Sequence, residues 1–438
     1  MKFIHDPLLA GRMVAVLGGV GSVVGIWFVT YELFKNKWTA YLSSLVYVCF
    51  PFAQVYNRMA LYDSLSGAFT LWALYFSVVL IRRIRLDTAY TLGFAIGLGA
   101  LNKSTNFFSM YLLPITVLLF DFSKKGRTTR FLKWVALAGV AVIIAQGMYA
   151  ILRLSPLFHM VTEKNALFIY PFSEWKNHPF DFFIGDLFGM THWLWEYLKL
   201  PYIALIILAF RSKVFLKEKI LLFLFFLLPF IALALFARIL FPRFIFFMTL
   251  SLLPLVAVGI VDGVMLSFKL LKKQHDNTIL KTVQTAIILV VLLFYPLYVS
   301  YSFAIDPVNA AIANPDRAQY VNHWTAGWGV NESVAYLREE AANNKIYVGT
   351  EGTFGLLPFA LEMYLVDNPN VTIKGFWPVE NNLPTELVSA SKKMATYMIF
   401  YQPNNVNPPQ AEHLELVQKT REGNSKYYYR LYKVVGFK

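Results

Sequence analysis

The chain has 438 residues, of which 57% are hydrophobic and 15% charged, and its mean hydropathy is +0.51. A soluble domain is about 25% charged, so this composition excludes a soluble enzyme and describes a polytopic membrane protein. The net charge is +14 with a pI near 9.5, yet the basic residues cluster in short loops between apolar runs, a pattern of membrane topology and not of nucleic-acid binding.

The opening, MKFIHDPLLAGR, has no apolar core before Arg12 and does not read as a cleavable signal peptide. Ten apolar segments then follow, over 12–33, 38–56, 63–81, 88–101, 104–120, 134–152, 194–210, 219–237, 243–262 and 279–303. Each is compatible with a helix across or into a bilayer. Cys49, the single cysteine, lies in the second of them. It excludes an intramolecular disulfide and a cysteine metal site.

Alternate loops are rich in Lys and Arg. They hold Lys35 and Lys37; Arg82, Arg83 and Arg85; Lys124, Lys125, Arg127, Arg130 and Lys133; Arg211, Lys213, Lys217 and Lys219; and Lys269, Lys272, Lys273 and Lys281. The positive-inside rule places these in the cytoplasm. The N-terminus, 57–62, 102–104, 153–193, 238–243 and the tail from about 304 then fall outside.

The stretch Arg58-Met59-Ala60-Leu61-Tyr62-Asp63 separates two apolar segments. An ionisable pair where a membrane helix meets water is a functional-site hypothesis. The alternative is that Arg58 snorkels and Asp63 caps the next helix. Lys103, Arg238 and Arg243 fall on the same expected face. Together these cations suit a phosphate at headgroup level, although each alone is compatible with snorkelling.

Loop 153–193 is long and aromatic, with Phe158, Phe168, Tyr170, Phe172 and Trp175 among others. It reads as an ordered piece lying on the membrane surface. His159, His178 and His192 have no metal-ligand spacing.

From about 304 the long apolar runs stop. Strand patterns at 346–348, 371–373, 397–400 and 427–434, with a helix at 353–365, suggest a small external α/β domain. The domains are thus 1–303, a membrane core, and 304–438. Gly349-Thr350-Glu351-Gly352 is not a dinucleotide fingerprint, and no P-loop, GxSxG or HExxH occurs. In Gln319–Val330, Trp324 and Trp328 can stack on a sugar ring or anchor at the membrane interface.

Four stretches occur in a fixed order: PLLAGRMVAVLGGVGSVV, PFAQVYNRMALYDSLSGAFTLWALYF, GLGALNKST and FPRFIFFMTLSLLPL. This order resembles glycosyltransferase family 39, the group of the protein O-mannosyltransferases and of the aminoarabinose transferase that modifies lipid A. The resemblance covers roughly 7–262, and the stretch Asp316 to Val330 resembles bacterial members with a C-terminal external domain. It implies a mainly α, type C glycosyltransferase fold of about ten membrane helices. It also implies transfer of a sugar from a polyprenyl-phosphate carrier to a glycan, lipid or protein acceptor, at the external face of a cell membrane. The lipid-linked sugar would be a co-substrate. No cofactor is demanded, no metal ligands are identified, and a divalent metal stays open.

By this resemblance Asp63 and Arg58 are the catalytic candidates. Lys103, in Asn-Lys-Ser where the family has Thr-Lys-Gly, and Arg243 with Phe244 are candidates for the carrier phosphate. Trp324 and Trp328 complete the substrate-binding set. One departure stands out. The family's principal catalytic aspartate lies in a first external loop ahead of the Pro-Leu-Leu-Ala-Gly-Arg helix, where this chain has only Asp6. A helix and a loop are therefore expected to be missing, which makes Asp63 a supporting carboxylate. The competing readings are a transporter or flippase of a lipid-linked or anionic solute, and a truncated, non-catalytic family member.

Overall fold

In the computed structural model, residues 4–271 and 278–437 are described, with side chains described outside 269–281. Lys272 and Lys273 lie outside the described residues, as do the side chains of Lys269 and Lys281. The chain divides into two compact units, one of Leu8–Ala304 with Ala311–Ala313, the other of Met1–Pro7, Ile305–Ala310 and Asn314–Lys438.

The larger unit is helical. Its elements are α1 (Pro7–Phe34), α2 (Lys37–Cys49), α3 (Pro51–Tyr56), α4 (Asp63–Arg83), α5 (Leu86–Asn102), α6 (Phe107–Tyr111), α7 (Arg127–Ala150), α8 (His159–Phe168), α9 (Phe172–Trp175), α10 (Phe183–Ala209), α11 (Leu216–Phe236), α12 (Arg243–Thr249), α13 (Leu253–Leu271) and α14 (Thr278–Ile305). Each of the ten apolar segments falls on helical structure, and six helical stretches among the described residues are long and apolar enough to cross a membrane. Helix α4 is typical: its 21 residues span about 30 Å, the thickness of a hydrocarbon core.

Several boundaries differ from the hydropathy reading, for local reasons. The 38–56 segment breaks after Cys49, because Phe50 is extended and Pro51 starts a new helix. The 104–120 segment is a chain of short 3₁₀ and α pieces interrupted near Pro114. Arg127, Arg130 and Lys133, expected in a loop, form the first turns of α7. Helix α10 starts eleven residues before its expected 194 and is broken at Lys199, two residues before Pro201. Loop 153–193 is therefore three helical pieces and not one connection.

Close helix crossings rest on small residues. A Cβ on Gly93 in α5 would come within 2.9 Å of the Ala141 carbonyl in α7. One on Gly259 in α13 would come within 2.0 Å of the Leu205 carbonyl in α10. With no hydrophobic driving force between helices in lipid, such close backbone packing holds a membrane bundle together. Elsewhere apolar side chains point outward: Leu132, Val135 and Ile143 on α7, and Val290, Val291 and Phe294 on α14, are exposed. Surfaces of this size and apolarity need lipid, and the chain is a multi-pass membrane protein.

The smaller unit contains α15 (Asn314–Tyr320), α16 (Val330–Glu340), α17 (Phe359–Leu365), α18 (Thr385–Ser391) and five strands, β1 (Ile346–Glu351), β2 (Val371–Phe376), β3 (Ala395–Pro403), β4 (Leu414–Arg421) and β5 (Tyr427–Val434). The sheet order is β2-β1-β3-β5-β4. Strand β1 runs parallel to β2 and β3, whereas β5 is antiparallel to β3 and β4. Successive residues alternate between two cores. Ile346, Val348, Tyr397, Ile399 and Leu431 pack with α16 and α17 on one face. Tyr347, Met398, Phe400 and Tyr432 pack with Leu387 of α18 on the other. The helix expected over 353–365 covers only its second half. Gly352 and Gly355 take φ of +127° and +85°, and Pro358 has no N–H to donate to a preceding turn.

Candidate active site

Asp63 is the first residue of α4 and is 1% exposed. Its neighbour in sequence is not its partner. Oδ1 accepts a short, charged hydrogen bond from Lys103 Nζ, while Oδ2 is buried with no hydrogen-bond partner among the described residues. Arg58 lies in the turn between α3 and α4, exposed and without an ion pair among the described residues. The expected Arg58–Asp63 pair is therefore not formed. The turn projects Arg58 into the surroundings, whereas the start of α4 buries Asp63.

Lys103 follows the last residue of α5 and is fixed by a ladder between that turn and α4. Asn102 Nδ2 donates to the Tyr62 carbonyl at 3.0 Å. Asn106 Nδ2 donates to Ser66 Oγ at 2.7 Å, and Thr70 Oγ1 donates to Asn106 Oδ1 at 3.1 Å. Residues 62, 63, 66 and 70 follow helical spacing, so they line one face of α4 and meet 102, 103 and 106 in order. The Lys103 ammonium also lies 4.9 Å from the Phe244 ring centre and 5.3 Å from that of Tyr62. Burial pulls Lys103 below the ordinary lysine range; Asp63 opposes this, and the positive charge of Arg243 adds to it.

Arg243 opens α12, with its guanidinium 5.2 Å from the Phe241 ring and 5.4 Å from that of Phe244. Lys103, Arg243 and Phe244 line one cavity of about 190 Å³ together with Tyr62, Lys164 and Phe168. A second cavity of about 350 Å³ adjoins it, sharing Lys103, Ser104, Lys164 and Asn165 and continuing between Leu101, Tyr149, Leu152 and Met160. Neither cavity is lined by an aspartate or glutamate. Asp63 stands behind Lys103 and lines neither. It is therefore placed to position that lysine.

The structure thus gathers three of the candidates, Lys103, Arg243 and Phe244, with Asp63 one bond away. Arg238, the fourth cation of the expected set, is used otherwise. It donates to Glu174 Oε1 at 2.8 Å and to the Ala166 carbonyl at 3.1 Å, and covers the Tyr170 ring at 4.8 Å. Trp324 and Trp328 belong to the smaller unit. The Trp324 ring packs on Gly355, and Trp328 Nε1 donates to the Val321 carbonyl at 2.8 Å. Lys164 and Asn165 were missed by sequence reasoning. Among the described residues, no three His, Cys, Asp or Glu side chains converge as a metal site.

Known proteins match at two levels. The family described as dolichyl-phosphate-mannose-protein mannosyltransferase matches residues 1–149. No curated protein matches by sequence. Among solved structures, ArnT from Cupriavidus metallidurans in the apo state aligns with TM-score 0.56 at 12% identity, over 96% of this chain and 83% of that one. The same protein bound to undecaprenyl phosphate gives 0.54 at 13% identity, with the same coverage. An oligosaccharyltransferase from Archaeoglobus fulgidus aligns at TM-score 0.45 and 12% identity over 89% of this chain, which spans 58% of that longer protein. The chain is thus similar to that mannosyltransferase family over 1–149, and over most of its length it shares the fold of ArnT.

Proposed function

We propose that this protein transfers a sugar from a polyprenyl-phosphate carrier to a glycan, lipid or protein acceptor at the external membrane face. The observation that carries the reading is the convergence of Lys103, at the end of α5, with Arg243 and Phe244 of α12 on one cavity. A phosphate needs cations, and a departing phosphate needs them most. Preorganised positive charge in a partly dry cavity stabilises the charge that develops as the sugar–phosphate bond breaks. Asp63 keeps Lys103 in place for this role. The wider, largely apolar second cavity suits the first isoprene units of a carrier. ArnT, the structural match, is found with undecaprenyl phosphate bound, which supports the donor class.

Loop charge supports the external location. The loops that carry the site, 57–62, 102–104 and 238–243, alternate along the chain with the Lys- and Arg-rich set. The same alternation supports an external smaller unit.

The test is transfer from radiolabelled polyprenyl-phosphate sugar by the reconstituted protein. Wild type transfers label, and Arg243→Gln lowers the rate by about 10² or more, the usual loss for a group that stabilises transition-state charge. Undiminished transfer by Arg243→Gln would remove the site from this cavity. Movement of the lipid-sugar across vesicles without transfer would replace the reading with transport.

A further inference from the structure

Lys103 stands at a break in the chain. Helix α5 ends at Asn102, a 3₁₀ turn runs from Ser104 to Asn106, and α6 starts at Phe107. Lys103 itself is extended, with φ −158° and ψ 135°. Past the last turn of a helix the backbone ladder no longer fixes the next residue. The place of Lys103 therefore depends on the side chains that hold the break.

Asn106 holds it from inside, 1% exposed. Its N–H donates to the Lys103 carbonyl at 3.0 Å. Its side chain crosses to α4, where Nδ2 donates to Ser66 Oγ and Oδ1 accepts from Thr70 Oγ1. Its other side rests on α5: a Cβ on Gly99 would come within 3.0 Å of Asn106 Cγ. The pieces tied together in this way also pack on α12. A Cβ on Gly67, next to Ser66, would come within 3.2 Å of Phe246 Cε1. Beyond the break, the Phe108 ring stacks on that of Phe247, with centres 5.8 Å apart. Phe246 and Phe247 belong to the helix that Arg243 opens. A buried amide bonded at both ends allows one register between such pieces, where apolar packing alone tolerates several.

We infer that Asn106 is a positioning residue for the proposed transfer. It sets the register of the break against α4, and so the place of the Lys103 ammonium on the cavity that Arg243 also lines. Asn106 itself lines neither cavity, so it acts through Lys103. This inference rests on the polyprenyl-phosphate reading of the same site.

The experiment measures binding of a polyprenyl phosphate to the full chain in nanodiscs, as a double-mutant cycle between Asn106 and Lys103. Lys103→Gln weakens binding about tenfold, the size of one hydrogen bond to a charged group. Asn106→Ala weakens it about fivefold, because the ammonium is present but displaced. The combined variant binds no more weakly than Lys103→Gln alone, since the two residues act as a unit. Ser66→Ala and Thr70→Val each remove one bond and leave Asn106 in place. Each weakens binding about twofold, and neither adds a loss to Lys103→Gln. If Asn106→Ala fails to fold, these two carry the cycle. Thr30→Val is the control for a purely structural loss: it removes a buried hydroxyl bond to Ser43 between α1 and α2 and leaves binding unchanged. Losses that add to that of Lys103→Gln, or no loss without it, overturn the inference while leaving the donor reading intact. Failure of wild type to bind, or undiminished binding by Lys103→Gln, overturns the donor reading and this inference with it.

Discussion

The two ends of α4 carry opposite solutions to the same problem, a carboxylate inside a helical bundle. At the Arg82 end, Glu32 of α1 meets Lys35 at 2.8 Å, Arg82 at 3.3 Å and Arg83 at 3.4 Å, and Arg82 reaches on to Glu218 of α11 at 3.0 Å. Charge there is saturated and ties three helices together. At the Asp63 end, one carboxylate has one cation, one of its oxygens is left over, and the cation faces a cavity. The first arrangement is complete without a ligand. The second holds positive charge ready for an anion, and this difference separates a structural charge cluster from a candidate site when both look alike in composition.

The contrast predicts unequal damage. Asp63→Asn leaves Lys103, whose side chain is 9% exposed, buried beside a neutral group. Breaking a buried pair in this way costs about 3–5 kcal/mol. Glu32→Gln removes a carboxylate from cations that have other recourse: Arg82 keeps Glu218, and the Arg83 and Lys35 side chains are half-exposed. Its cost is about 1–2 kcal/mol. Unfolding of both variants in mixed micelles by increasing detergent denaturant measures the two, and equal losses would break the distinction.

That contrast was only half legible in the sequence. Hydropathy located the spans, because lipid enforces long apolar runs, and the Lys/Arg alternation separated the two sets of loops. Lys103, Arg243 and Phe244 were found through resemblance. The partner of Asp63 was not. Arg58 stands five positions away and invites pairing, yet the true partner is forty positions on, presented by the end of α5 through the Asn102 and Asn106 ladder. Such a pairing depends on helix packing that no local pattern encodes. Lys164 was hidden for a related reason. Its segment read as an aromatic surface piece, and only the Arg238 bond to the Ala166 carbonyl turns α8 toward the cavities. Strand β4, LELVQKTR, went unread because an edge strand carries charges that weaken alternation.

A third buried carboxylate extends the series from three cations, through one, to none. Glu422 in the smaller unit is fully buried, and both its oxygens lack a hydrogen-bond partner among the described residues. Burial pushes its carboxyl from the ordinary 4.5 up to about 8. Between those values the folded chain holds a proton that the unfolded chain has released, so stability falls as pH rises from about 4.5 to about 8 and then levels. The loss is of the order of 2–4 kcal/mol, at 1.36 kcal/mol per unit and with allowance for relaxation. Glu422→Gln flattens the profile and makes the smaller unit more protease-resistant at pH 9 than the wild type. Limited proteolysis of the full chain at pH 5, 7 and 9 reads this out. A wild-type profile as flat as that of the variant would show that Glu422 finds compensation when charged.

The smallest effect belongs to the most paired end. Lys35 makes the shortest of the contacts to the Glu32 carboxylate, at 2.8 Å, but its side chain is 51% exposed. Contact length alone would rank it above Arg82. Exposure reverses the ranking, because water and salt screen the charge and the side chain gives up rotamer freedom to stay in place. Lys35→Ala should therefore cost less than about 0.5 kcal/mol, and the cost should vanish at high salt. Asp63→Asn, by contrast, should keep most of its cost at the same salt, since Lys103 is shielded from solvent. Unfolding of the two variants at low and high ionic strength compares them directly. A salt-independent loss at Lys35 would mean that the saturated end is as dry as the cavity end. Saturation, and not access to a ligand, would then be all that distinguishes them.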